Sequence, residues 1–125
     1  MGTWRNGTGT LTVGGRNDPV ALEIAASYGT RRRGLLGREE IEGALLITPC
    51  GSVHTFGMRM TIDVAYLDKE LKVIYVHTLK PGRLPRPRLR ARHVLESEAG
   101  AMERWGIRRG ARLRVEAQGD AAMTG

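Results

Sequence analysis

A chain of 125 residues with 41% apolar and 26% charged residues has the balance of one soluble globular domain, which excludes collagenous, membrane-spanning and fully disordered chains. At this size folding removes roughly two-thirds of the unfolded surface, enough for one core and too little for two. The formal charge of +7, set by 17 Arg and 3 Lys against 13 acids, favours anionic partners such as nucleic acid, anionic lipid or phosphorylated ligands, although a basic surface can also be merely solvated.

The elements follow in chain order. Residues 1–10, MGTWRNGTGT, contain no apolar signal segment, so a cytoplasmic address is expected and this stretch reads as a flexible N-terminal segment. A short strand is expected at Leu11 to Val13, and Asn17-Asp18-Pro19 is a turn signal. The alternation of Val20, Leu22 and Ile24 then predicts a strand in a hairpin with the first. Ser27 or Thr30 can cap a short helix over RRRGLLGREE that ends near Leu36 or Gly37, because Gly34 and Gly37 weaken a helix interior by roughly 1 kcal/mol each. Gly43 to Ile47 reads as a short buried strand stopped by Pro49.

The segment from Thr61 to Leu79 gives the clearest β signal: IDVAYLD, a Lys69-Glu70 turn, and LKVIYVHTL predict a long hairpin with Val64 and Ile74 in the core. Lys80 to Arg92 holds three prolines and six basic residues without an acid, which forbids a helix or a central strand and predicts a loop. A strand from His93, a helix of one to two turns closed by Gly106, and a last strand over Ala111 to Ala117 follow. Residues 11–117 form a single globular domain in this reading, and residues 118–125 a disordered tail. Strands follow strands through tight turns, so the expected fold is α+β and mainly β: a compact antiparallel sheet, curled like a barrel, with two short helices at its ends.

Several constellations could carry chemistry. Cys50 and His54 suggest a nucleophile and its base, yet an extended chain between them spans about 13 Å, beyond the roughly 3 Å that such a dyad requires. A half-buried structural cysteine is the simpler alternative. A metal site recruiting Cys50 and His54 with His77, His93 or Asp63 from other strands lacks any paired-ligand motif, so no metal and no cofactor are expected. The single Cys excludes an internal disulfide. Asp63 lies in an apolar stretch and needs a partner, Arg59 or a backbone amide; alternatively His54, Arg59 and Asp63 converge on a polar or anionic ligand. Arg83, Arg86, Arg88 and Arg90 project from the proline-stiffened loop and could track phosphates, although no aromatic residue lies in that strip for base stacking.

The run CGSVHTFGMRMTIDVAYLD from Cys50, with HTLKPGR, HVLESEAG, GIRRGARLRV and the earlier TRRRGLLGR, resembles the uncharacterised bacterial and archaeal family known as domain of unknown function 192. The resemblance covers about residues 20 to 116. Thr61 and Gly57 depart from the pattern, where members commonly have Pro and an aromatic residue. The resemblance implies a compact β-rich fold and no established activity. The function expected is therefore a small intracellular binding or accessory module with a basic, anion-recognising surface, for which non-specific nucleic acid is one partner. A thiol-dependent hydrolase or transferase using Cys50 and His54, or a protein-interaction adaptor with an exposed apolar patch near Met58 and Met60, are the alternatives.

Overall fold

A computed structural model describes residues 4–15 and 18–118. The strands are β1 (Gly7–Val13), β2 (Val20–Ala25), β3 (Ala44–Ile47), β4 (Ile62–Leu67), β5 (Val73–Leu79), β6 (His93–Glu98) and β7 (Leu113–Gln118), with helices α1 (Tyr28–Arg33) and α2 (Ala101–Trp105). They form one sheet in the order β5-β4-β6-β3-β2-β1-β7. The two hairpins, β1 with β2 and β4 with β5, pair as expected, and Val64 is fully buried while Ile74 packs at the margin of its cluster.

Three expectations are corrected. The sheet is mixed, because β3 lies parallel to β2; residues 26–43, including α1, carry the chain back to the starting end, as a parallel pairing requires. The sheet is also not closed into a barrel. Closure needs a continuous ladder between the outer strands, and among the described residues β5 meets the β7 side only at the Lys72–Arg112 bridge and the backbone bonds around it. Finally, β1 begins at Gly7 within the segment expected to be loose. Trp4 packs against the core beside it. The expected tail lies outside the described residues except for Gln118, which ends β7.

Alternation along the central strands divides the core between the two faces of the sheet. Ala65, Leu67, Leu95, Ala44, Leu46, Leu22 and Ile24 belong to the first face, where Met102 of α2 and Ile107 cover them. Val64, Tyr66, Val94, Leu45 and Ile47 belong to the second. No long helix covers the second face. Its lid is irregular: Leu35 and Ile41 after α1, Cys50, Val53, Met58 and Met60 from the β3–β4 connection, and Ala91 from the β5–β6 loop.

That lid is tied together by few residues. Ser27 caps α1 by accepting the Thr30 N–H at 3.3 Å, and Asn6 Oδ1 accepts from the Ala26 and Ser27 amides at 2.7 and 2.9 Å. The helix stops at Arg33, three residues before the expected end, because Gly34 takes a positive φ of 48° that favours glycine. The buried Thr55 joins the two long loops: its Oγ1 donates to Lys80 O and accepts from the Arg83 N–H, both at 2.7 Å.

Candidate functional site

Between α1, residues 50–58 and the middle of β6 lies a cavity of about 170 Å³. Its walls include Leu35, Ile47, Val53 and Met58, with Cys50, His54, Glu96 and the three arginines of α1 as the polar groups. Glu96 belongs here because β6 is a central strand, and alternation sends residues 94 and 96 toward the second face. Its neighbours across the ladders are Val64 and Leu45, so apolar residues flank it on both sides.

Glu96 is only 5% exposed, and among the described residues no hydrogen bond or ion pair reaches its carboxyl. Burial alone pushes its pKa up to about 7, since desolvation disfavours the charged form. Arg31 lines the same cavity: its Nη1 donates to Pro49 O at 3.0 Å, whereas its buried Nε–H has no partner among the described residues.

The two residues expected as a catalytic pair share this cavity without forming a dyad. The Cys50 thiol donates to Ser52 O at 3.0 Å, and burial pushes its pKa upward, with the nearby Glu96 adding to the rise against that hydrogen bond and Arg31. His54 Nδ1 accepts the Phe56 N–H at 3.3 Å, and its ring stacks on Phe56 with centroids 5.3 Å apart. This arrangement keeps the sulfur a thiol, a poor nucleophile at neutral pH.

The other candidate residues lie apart. Exposed Arg59 reaches Glu39 at 3.4 Å. Asp63 points to the first face, where Oδ1 accepts from Thr78 Oγ1 at 2.6 Å and Oδ2 from the Gly100 and Met102 amides at 2.8 and 3.3 Å. Of its two expected partner types, the structure supplies the backbone amide. In the β5–β6 loop Arg83, Arg86 and Arg90 are exposed. Arg88 instead turns inward, its guanidinium 4.1 Å from the Tyr75 ring centre, because the aromatic face and the alkyl stem offer a packing surface that solvent does not.

His77 contacts the Tyr66 hydroxyl at 3.0 Å, and His93 Nδ1 contacts Thr48 Oγ1 at 2.6 Å; burial lowers the pKa of both rings. Among the described residues no three His, Cys, Asp or Glu side chains gather in a metal-binding group. No described helix is long and apolar enough to cross a membrane.

The sequence alone does not single out Glu96. Its signal is the alternation in HVLESE, which becomes informative only once β6 is known to be flanked on both sides. Arg31 was hidden in a run of three arginines.

Comparison with known proteins adds a family and a fold. The DUF192 pattern, described as "Uncharacterized ACR", matches residues 9–115. A UPF0127 protein of Pyrococcus horikoshii is 36% identical over 87 residues, covering 66% of this chain and 76% of its own. Another from Pyrococcus abyssi is 33% identical over 84 residues, covering 63% and 72%. A crystal structure from Sinorhizobium meliloti, named as a candidate transcription regulator, superposes with a TM-score of 0.74 at 19% identity, covering 90% of this chain and 95% of that one. A protein of unknown function from Novosphingobium aromaticivorans gives 0.73 at 20% identity, covering 86% and 83%. With a pattern that spans most of its length and a relative 36% identical over 66% of it, this chain belongs to the uncharacterised DUF192 family.

Proposed function

We propose that the protein is a binding module that recognises a polyanion, with single-stranded nucleic acid as the class that fits best. The observation that carries this reading is charge segregation. The three segments that roof the second face, residues 27–40, 49–61 and 80–92, hold eleven basic residues and two acids; the rest of the chain holds nine and eleven. Arg32, Arg33, Arg83, Arg86 and Arg90 on this roof are exposed, as are Tyr28 and Phe56. Exposed rings beside guanidinium groups suit a strand whose bases stack while its phosphates are neutralised. His54 contributes through its stack on Phe56, and Arg59 stands on the same roof in its pair with Glu39. A lone cysteine is compatible with a reducing compartment such as the cytoplasm.

A fluorescent single-stranded oligonucleotide should bind at low salt and be released as salt rises, because each neutralised phosphate frees counterions. Replacing Arg83, Arg86 and Arg90 together by Ser should reduce the slope of log affinity against log salt by about two. An unchanged slope, or no binding by the parent protein at low ionic strength, overturns the reading.

A thiol-dependent enzyme is the second reading, favoured by the shared cavity of Cys50 and His54. It requires Cys50 to react with iodoacetamide at neutral pH faster than a free cysteine does. The raised pKa of the thiol argues for the opposite result.

A further inference from the structure

We propose that the cavity beneath α1 binds a small zwitterion of the free apolar amino acid class, its ammonium group against Glu96 and its carboxylate toward the arginines of α1. The inference is independent of the polyanion reading, which concerns the outer surface of the roof.

Two polar groups of opposite need line this cavity. The Glu96 carboxyl is buried between Val64 and Leu45, and no donor among the described residues reaches it. The Arg31 Nε–H is buried and meets no acceptor among the described residues. A buried polar group without a partner costs stability comparable to a lost hydrogen bond; a ligand that brings a donor relieves the acid, while its anionic end meets the positive charge of the α1 arginines that line the cavity.

Charge narrows the class further. A carboxylate wall recognises a protonated nitrogen, but a simple amine entering here passes Arg31, Arg32 and Arg33, which line the same cavity and repel it. A simple carboxylate is drawn to those arginines and leaves Glu96 without a donor. A molecule carrying both charges meets neither objection.

Shape and lining agree with this. Gly34 borders the acid; a Cβ built there would lie 3.5 Å from Glu96 Oε1 and 3.6 Å from Ile47 Cδ1, so the absence of a side chain leaves room at the carboxyl. Leu35, Ile47, Val53 and Met58 offer an apolar wall for a side chain. A volume of about 170 Å³ is comparable to an engineered cavity of about 150 Å³ that holds benzene, which is room for a branched amino acid.

The test is calorimetric titration of the full chain with L-leucine, 3-methylbutylamine and 4-methylpentanoate, which share the branched alkyl group and differ in charge. Leucine should bind at least tenfold more tightly than either single-charge analogue. Glu96→Gln keeps the shape and should cost leucine at least tenfold in affinity, with circular dichroism confirming that the variant is folded. Arg31→Ala, which removes one of the guanidinium groups lining the cavity, should also weaken leucine binding. Absence of leucine binding, equal binding of the three compounds, or undiminished affinity in folded Glu96→Gln overturns the proposal. None of these results depends on whether oligonucleotides bind.

Discussion

Asp63 and Glu96 are both buried carboxylates on the inner strands of one sheet, and they face opposite ways. Asp63 looks toward the face covered by α2 and accepts three hydrogen bonds, two of them from the backbone amides that begin that helix. Glu96 looks toward the face roofed by loops and accepts none from the described residues. The contrast separates two uses of a buried acid. One joins a strand to a helix and is stabilised by that junction; the other is held at a cost within a cavity. The face where polar groups are satisfied is therefore the structural one, and the face where they are not is the one on which to look for a ligand.

The largest expected effect belongs to the satisfied acid. Asp63→Ala removes the acceptor for Thr78 and for the Gly100 and Met102 amides, and should destabilise the fold by about 3 to 5 kcal/mol in urea unfolding. A loss below about 1 kcal/mol would show that α2 docks without it and would break the comparison.

Glu96 should give the opposite sign in a pH-dependent way. Its folded pKa, about 7, lies above the ordinary 4.5, so the folded state holds its proton more tightly than the unfolded chain. The resulting stabilisation is complete below pH 4.5 and is lost as pH rises through 7. A shift of this size corresponds to about 3 kcal/mol. Glu96→Gln should remove this dependence and be the more stable protein at pH 8. His93, whose pKa burial lowers, contributes the reverse trend, destabilising the fold as pH falls below its ordinary 6.5. Subtracting the variant's pH profile from the parent's isolates the acid, and parallel profiles would show that Glu96 ionises freely.

The smallest effect concerns the roof. Ser27→Ala removes the α1 cap and should cost about 1 kcal/mol. It should also speed amide exchange in α1 while leaving α2 unchanged; equal acceleration in both helices would show that the two faces open together.

The same contrast explains what the sequence could reveal. The hairpin from Ile62 to Leu79 was legible because its alternation and turn are local, and the β5–β6 loop because prolines exclude the alternatives. The parallel pairing of β2 with β3 was not, since nothing in residues 26–43 states where the chain re-enters the sheet. Asp63 stood out because it interrupts an apolar run. Glu96 sits in LESE, which reads as the polar end of a strand, and only the strands on either side turn it into a buried group. Arg88 was read as one of four projecting arginines, because its place against Tyr75 depends on a contact across the loop.

The position of β7 has a consequence for how the chain is made. Thr8 pairs with Gln118 and Val13 with Leu113, so during synthesis β1 receives its outer neighbour only when β7, far along the chain, has emerged. Until then β1 presents an unpaired edge, the kind of surface on which nascent chains associate. Gly9 adds to this requirement, because any Cβ at that position would collide with the Glu116 carbonyl oxygen. A larger residue there would hinder the pairing of β7 with β1 and leave the β1–β2 hairpin intact, so its first symptom during synthesis should be aggregation that sets in once β7 has emerged.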